Sequence, residues 1–338
     1  FRELVERLRP IFPPHGVVPV ADAVWGALQQ ALMIAVADTE GRLPAEILAQ
    51  EYSLAGEQPL PTTLPLILAV DDYAATAERF ERIIALRPDG IGYRLAGVRP
   101  AEAIGSNAEL LQRFVRELLQ RAKVAGGEEY RPTLYLGLAG SLGQLAADPV
   151  RHIGKVLGHC VGLQEAVGDG RLILEEPFLL DDPTAQAANL HRLRDFLRRT
   201  PSSLKRSEPA WLAARGSKLS DEIFQQYIDT APANGLTFDL PAESDIDRLM
   251  TRWAALRAGG AVGYLALPPG NESGLTSRRI ALAVDLALAA PAGGLILNFN
   301  NGDERIYHAI ARQLAESRVW LAGRSEPVGH THFTTSNQ

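Results

Sequence analysis

The stretch Arg171-Leu-Ile-Leu-Glu-Glu-Pro177 predicts a short buried strand that ends on an acidic residue. Residues 172–174 are apolar, Glu175 follows them, and Pro177 cannot continue the interior of a sheet. In barrel enzymes the pocket opens at the carboxyl ends of the parallel strands, which is where this acid would lie. The role of Glu175 therefore depends on which polar side chains the other strands bring to the same end.

The surrounding chain repeats the same strand-then-helix unit, which predicts a parallel sheet covered by helices. The predicted strands are residues 64–70, 90–95, 133–138, 172–175, 209–214, 236–240, 262–267 and 294–299. The predicted helices after them are residues 73–85, 107–123, 150–157, 184–199, 221–229, 243–257, 275–289 and 303–315. Eight such units match a closed (β/α)8 barrel of the TIM type. A doubly wound open sheet is the alternative, although no Gly-x-Gly-x-x-Gly motif follows the first strand.

Three segments of different character divide the chain. Residues 1–60 are predicted to be helical, with helices at 2–8, 21–37 and 45–52, and Pro44 stands where a helix can begin. Their apolar faces imply that they pack on another part of the protein. Residues 61–320 form the predicted barrel, and residues 321–338 are a polar C-terminal tail.

Composition excludes several classes of protein. The 338 residues are 46% hydrophobic and 22% charged, as in ordinary soluble proteins, and the net charge of −6 without a basic run argues against a nucleic-acid partner. No apolar run is long enough for a membrane span, and no signal peptide is expected. Cys160 is the single cysteine, which predicts a reducing, cytoplasmic environment. Because the first residue is Phe1 rather than Met, residues upstream of it are an open alternative.

Five segments, in order along residues 20–318, resemble the methylaspartate ammonia-lyase family of the enolase superfamily. They are the helical residues 25–52, Pro132-Thr-Leu-Tyr-Leu-Gly-Leu-Ala-Gly-Ser-Leu-Gly143, Ile173-Leu-Glu-Glu-Pro177, Gly270-Asn-Glu-Ser-Gly-Leu-Thr-Ser277 and Asn301-Gly-Asp-Glu304. The resemblance implies a barrel, part of an enolase-type capping domain and a homodimer. It also implies a Mg²⁺-assisted elimination of ammonia from 3-methylaspartate that yields mesaconate.

The family's metal site is largely missing from this sequence. The resemblance implies three metal-binding carboxylates, on the third, fourth and fifth strands. The third-strand aspartate falls on Gly137, the fourth-strand glutamate is kept as Glu175, and the fifth-strand pair falls near Ala214 and Arg215. One carboxylate leaves most of the coordination of Mg²⁺ to water, so Glu175 is at best a remnant metal ligand.

The family's proton-transfer and substrate-binding groups are also replaced. The strand that should carry a lysine base reads Leu236-Thr-Phe-Asp-Leu240, so Asp239 is the nearest polar group, and Asp89 stands where the resemblance places a histidine. The first-strand glutamine falls near Leu68. A Thr-Cys pair falls on Pro269-Gly270, whereas Asn271-Glu272 after it is family-like and is a candidate for the substrate pocket.

Each candidate has a catalytic and a structural interpretation. Glu175 is a remnant cation site or a buried hydrogen-bond acceptor. Asp239 is a new base, or it caps the next helix or meets an arginine. Arg94 and Arg215 bind an anion in the barrel mouth, or they pair with Glu175 or Asp239. In the last case a guanidinium would stand at the former Mg²⁺ position, a hypothesis that requires an Arg or Lys within reach of Glu175.

The remaining polar motifs have simpler alternatives. Asn271 and Glu272 can set a turn before a helix capped by Ser273 or Thr276, and Asp71-Asp72 and Asp303-Glu304 can close a strand or open a helix. His330 and His332 form a metal-binding pair or are merely solvated in the tail. Cys160 is predicted to be a packed core thiol rather than a nucleophile.

Two functional hypotheses follow from these substitutions. The first is a catalytically degenerate relative of methylaspartate ammonia-lyase that needs no cofactor and has a structural, binding or accessory role. It would form a homodimer or be a subunit of a larger assembly. The second is an active carbon–nitrogen lyase that acts with Mg²⁺ on 3-methylaspartate or a related amino acid and has relocated its acid–base groups to Glu175, Asp239 and Arg94.

Overall fold

Eight parallel strands close into a barrel in a computed structural model of the chain. The structure describes residues 1–10, 19–54, 60, 64–70, 77–95, 102, 104–146, 148–200, 210–217, 219–240, 245–267, 277–289, 292–299 and 304–324. The strands are β1 Leu66–Val70, β2 Gly90–Arg94, β3 Thr133–Gly137, β4 Leu172–Glu175, β5 Trp211–Arg215, β6 Gly235–Asp239, β7 Val262–Leu267 and β8 Ala292–Asn298. Each strand pairs with its sequence neighbours, and β1 pairs with β8. The closed barrel confirms the predicted (β/α)8 fold and excludes the open sheet.

The described helices cover the barrel and precede it. They are α1 Arg2–Leu8, α2 Pro19–Glu40, α3 Pro44–Glu51, α4 Ala77–Leu86, α5 Glu109–Gly126, α6 Ser141–Gln144, α7 Ile153–Val167, α8 Pro183–Arg199, α9 Asp221–Thr230, α10 Ile246–Ala258, α11 Ser277–Ala289 and α12 Glu304–Arg324. None of the helices in the described part of the chain is long and apolar enough to cross a membrane.

Two helices extend far beyond the ends that the sequence pattern indicates. α7 continues to Val167 instead of ending at residue 157, although Gly158 and Gly162 interrupt its apolar pattern. A Cβ atom on Gly162 would lie 2.5 Å from Nε2 of Gln112, so this glycine admits a side chain of α5. α12 runs to Arg324 instead of ending at residue 315, so residues 321–324, which were predicted to belong to the polar tail, are helical. The tail after residue 324 lies outside the described residues.

Alternating side chains divide each strand between the barrel interior and the helix layer. The interior cluster consists of Ile67, Ala69, Tyr135, Ile173, Ala213, Tyr264, Ala266 and Ile296. Leu68 belongs instead to the large core between strands and helices. Glycine makes room for the rings of Tyr135 and Tyr264. A Cβ atom on Gly92 would lie 3.0 Å from the Tyr135 ring, and one on Gly293 would lie 2.5 Å from the Tyr264 ring.

The N-terminal helices pack against the side of the barrel. The side chain of Gln29 on α2 donates to Asp245 Oδ1 at 2.8 Å and accepts from the backbone N–H of Ile246 at 2.6 Å, at the start of α10. Tyr52 OH donates to Asp247 Oδ1 at 2.6 Å, and α3 packs against α11. Ala45, Ile47, Leu48 and Ala49 of α3 are buried, so the apolar face of this helix packs on another part of the protein, as expected.

Candidate active site at the barrel mouth

Inward-facing residues at the carboxyl ends of six strands form one polar cluster, which we call the mouth cluster. Its members are Arg94, Gly137, Glu175, Arg215, Asp239 and Asn298, the last residues of β2, β3, β4, β5, β6 and β8. Arg94 pairs in register with Gly137, and Gly137 pairs with Glu175, so three of the members lie side by side. The strand geometry thus gathers Arg94, Glu175, Asp239 and Arg215, all of which the sequence analysis singled out.

Glu175 is the buried centre of the mouth cluster. Its side chain has 0% of its surface exposed and directs Oε2 towards two guanidinium groups. Nη2 of Arg94 lies 3.7 Å from this oxygen, and Nε of Arg215 lies 3.5 Å from it. Nε of Arg215 is also 3.5 Å from Oε2 of Glu176. Two guanidinium groups therefore lie close to Glu175, which supports its structural interpretation as a buried acceptor paired with arginines.

Arg94 connects further strands of the mouth cluster. Its Nη2 lies 3.8 Å from Oδ1 of Asp239, and its Nη1 donates to Oδ1 of Asn298 at 3.3 Å. Asp239 thus meets an arginine, and it does not cap the next helix, because the N-cap of α10 is Asp245. The backbone N–H of Asp239 donates to Oγ of Ser217 at 2.7 Å.

Some buried polar atoms in and around the mouth cluster make no hydrogen bond among the described residues, and they include Oε1 of Glu175 and Oγ1 of Thr237. The buried hydroxyl of Tyr135 interacts with Glu175 and Arg94. Tyr135 and Thr237 stand two residues before Gly137 and Asp239 on the same inward faces. Buried polar atoms without a protein partner are sites for an ordered water or a polar ligand.

The charges of the mouth cluster favour the protonated form of Arg215 and suppress ionisation of the neighbouring Tyr135. Burial lowers the pKa of Arg215, but the neighbouring carboxylates, Glu175 first, outweigh burial and raise the pKa overall. Burial raises the pKa of Tyr135 well above its usual value, and the negative charge of Glu175 adds to this effect. Arg215 is thus held as a cation and Tyr135 as a neutral phenol.

Asp89 does not belong to the mouth cluster, which corrects its expected place in the substrate pocket. It precedes β2 and therefore lies at the amino-terminal end of the barrel, opposite the mouth. There its Oδ2 accepts from the backbone N–H of Leu66 at 2.9 Å, and its carbonyl oxygen accepts from the N–H of Thr133 at 2.9 Å. Asp89 thus links the starts of β1, β2 and β3, and it cannot reach a ligand at the mouth of the barrel.

Several other candidates lie outside the described residues. These are Asn271, Glu272, Ser273 and Thr276, the alignment positions Pro269 and Gly270, the acids Asp71, Asp72 and Asp303, and the tail histidines His330 and His332. Glu304 is the first residue of α12, as expected for an acid that opens a helix. Cys160 is fully buried on α7, and burial raises the pKa of its thiol to about 12, which fits a packed core residue.

Sequence reasoning missed three residues around the mouth cluster: Asn298, Tyr135 and Thr237. Asn298 ends an apolar run, as Glu175 does, so the rule that singled out Glu175 applies to it as well. Tyr135 and Thr237 lie two positions before a strand end, and their parity places them on the inner face. Which polar groups these two hydroxyls meet could not be read from the sequence, because it depends on side-chain placement.

The mouth cluster does not fit a magnesium ion. Mg²⁺ binds hard oxygen ligands, yet Oε2 of Glu175 already faces two positive guanidinium groups that would repel a dication. Among the described residues no three His, Cys, Asp or Glu side chains are grouped so that they could hold a metal. Glu175 is therefore placed as the partner of Arg94 and Arg215 rather than as a metal ligand.

The closed barrel, with helices before its first strand and polar groups at its mouth, is a (β/α)8 barrel of the TIM type. A β-methylaspartase structure from Clostridium tetanomorphum, in its Mg complex, superimposes with a TM-score of 0.78 at 19% identity. The superposition covers 96% of this chain and 74% of that one. At this level of identity the likeness shows the fold alone.

The chain belongs to the methylaspartate ammonia-lyase family. The sequence model of the methylaspartate ammonia-lyase C-terminus matches residues 75–292. The chain is 23% identical over 301 residues to methylaspartate ammonia-lyase 2 of Carboxydothermus hydrogenoformans and 25% identical over 305 residues to methylaspartate ammonia-lyase of Haloarcula marismortui. Each alignment covers 88% of this chain and 68% of the relative. These matches confirm the family resemblance found in the sequence.

Proposed function

We propose that this protein is a member of the methylaspartate ammonia-lyase family that does not perform the lyase reaction and has a structural, binding or accessory role. The observation that carries the proposal is the enclosure of Glu175 by the guanidinium groups of Arg94 and Arg215. Removing a proton beside a carboxylate creates a dianionic intermediate, which needs a divalent cation and a positioned base. Two guanidinium groups already lie next to Oε2 of Glu175, the oxygen that such a cation would bind.

Within the described residues, the lack of a lysine or histidine base at the barrel mouth also supports the proposal. Every lysine and histidine in the described part of the chain lies on a covering helix or at its start: Lys123, His152, Lys155, His159, His191 and His308. Asp239 is the acid–base candidate left in the mouth cluster, and Arg94 pairs with it. Losing the metal site together with the proton-transfer groups should abolish turnover rather than reduce it.

An assay of mesaconate formation from 3-methylaspartate with added Mg²⁺ tests the proposal. We expect no turnover above the uncatalysed rate, with the β-methylaspartase of Clostridium tetanomorphum run in parallel as the active control. Turnover that disappears in Asp239→Asn would contradict the proposal. It would favour the alternative of an active carbon–nitrogen lyase with relocated acid–base groups at Glu175, Asp239 and Arg94.

The assembly and location of the protein belong to the same proposal. We propose a cytoplasmic homodimer, or a subunit of a larger assembly, that needs no metal cofactor. The family resemblance supports the homodimer, and the single cysteine supports the reducing compartment. Light scattering on the purified protein should give twice the chain mass, and capture of the protein from its native source should show whether further subunits accompany it.

A further inference from the structure

Arg94 reaches the centre of the mouth cluster by passing over Gly137. A Cβ atom built on Gly137 would lie 2.9 Å from Cγ of Arg94 and 3.4 Å from Oε2 of Glu175. The first distance is shorter than real side chains tolerate, so any residue with a Cβ atom would displace Arg94. Gly137 is therefore a requirement for the observed course of the Arg94 side chain.

The guanidinium of Arg94 occupies a position between acidic groups of different strands. It faces Glu175 on β4 and Asp239 on β6, and it donates to Asn298 on β8. Buried Glu175 needs a partner, because an uncompensated buried charge is strongly destabilising. A planar guanidinium carries five N–H donors and can satisfy several acceptors at once, which a lysine ammonium does less well.

Arg215 adds a second positive charge beside Glu175. Its guanidinium contacts Glu175 and Glu176 from the neighbouring strand β5. Arg94 and Arg215 together carry two positive charges, as many as one divalent cation. Since both belong to the protein, they are present whenever the barrel is folded.

We propose that Arg94 is a permanent internal cation that replaces a bound metal ion in assembling the barrel mouth, and that Gly137 is the residue that admits it. The inference deepens the proposed function by explaining how the mouth is held together without a metal. Its tests measure stability and metal binding rather than turnover, so its failure is distinguishable from a positive lyase assay.

The first experiment compares melting temperatures with and without millimolar Mg²⁺ as the only probe. Mg²⁺ should not shift the wild-type melting temperature. Arg94→Ala should lower it by about 6–10 °C, because Glu175 loses a partner. Millimolar Mg²⁺ should restore part of this loss in Arg94→Ala but less of it in Arg94→Ala/Glu175→Gln, which keeps the carboxylate of Asp239 but has lost the buried carboxylate of Glu175.

A matched control separates this effect from the loss of any arginine. Arg82 pairs with Glu78 one helical turn away on the exposed surface of α4, so Arg82→Ala should change the melting temperature by less than about 1 °C. If Arg94→Ala does not fold, Arg94→Ala/Glu175→Gln should fold, because the buried charge is removed as well. A double variant that also fails to fold would contradict the proposal.

The second experiment tests the role of Gly137 with a double-mutant cycle. Gly137→Ala should lower the melting temperature in the wild-type background and by much less in the Arg94→Ala background, because the steric conflict is with Arg94. Equal losses in both backgrounds would overturn the proposed pairing. Stoichiometric binding of Mg²⁺ to the wild-type protein by calorimetry would overturn the replacement of the metal itself.

Discussion

Asp285 is a buried acid on α11 with 7% of its surface exposed, and burial raises the pKa of its carboxyl to about 7. In the unfolded chain the pKa of an aspartate is about 3.9. Between these values the folded protein binds the proton that the unfolded chain releases. The contribution to the free energy of unfolding is therefore full below about pH 4 and is lost as the pH rises to about 7.

The substitution Asp285→Asn should remove this pH dependence. Asparagine has a similar shape and no charge, so it avoids the cost of ionising a buried acid at neutral pH. We expect the substitution to stabilise the protein, and the gain at pH 8 to exceed the gain at pH 5 by about 1–3 kcal/mol. Urea unfolding at the two pH values measures the difference. The exposed Asp181→Asn serves as the control, and a gain independent of pH would contradict the assignment.

Single residues of the mouth cluster were predictable where they end an apolar run. Glu175, Asp239 and Arg94 are each the last residue of a buried strand, and the alternation of side chains along the strands turns all three inward. Asp89 was misplaced because it begins a strand, and the two ends of a parallel strand open on opposite faces of the barrel. The choice between cation site and ion pair could not be made from the sequence, because it depends on which way Arg94 crosses Gly137.

At the scale of elements, strands were easier to predict than helices. β4, Leu172–Glu175, and β7, Val262–Leu267, have the bounds that their apolar runs indicate. α7 was predicted too short, because Gly158 and Gly162 lower helix propensity while tertiary packing keeps the helix intact. Local patterns thus record burial well, whereas helix ends also depend on contacts from distant parts of the chain.

The start of α10 depends on a side chain more than two hundred residues earlier. Gln29 binds both the N-cap side chain of Asp245 and the backbone N–H of Ile246. Gln29→Ala should destabilise the protein by about 2–3 kcal/mol, because it removes two buried hydrogen bonds and takes the acceptor away from the backbone N–H of Ile246. Urea unfolding measures the loss.

A surface glutamine provides the matched control for Gln29. Gln225 donates to Asp229 one turn along α9, and both side chains are exposed to water. Gln225→Ala should therefore cost less than about 0.5 kcal/mol. Similar losses for the two substitutions would show that Gln29 does not hold the N-terminal segment to α10.

At the scale of the whole molecule, the helices before β1 should fold together with the barrel. α3 has eight residues, and Ala45, Ile47, Leu48 and Ala49 among them are buried. A helix this short is not stable alone in water, so its order comes from the barrel helix α11 against which it packs. Residues 44–51 should then open only with the barrel, and their amides should exchange as slowly as those of the strands.

Leu48→Asp tests this coupling between segment and barrel. Leu48 has 0% of its surface exposed, so a buried charge at this position should destabilise the protein by more than about 3 kcal/mol. Because the segment and the barrel form one cooperative unit, calorimetry should still show a single transition at a lower temperature. Val124→Asp, at a position 76% exposed on α5, should leave the transition nearly unchanged. The coupling would be contradicted by a separate transition at lower temperature, together with rapid amide exchange of residues 44–51 while the amides of the barrel strands stay protected. The segment would then unfold independently of the barrel.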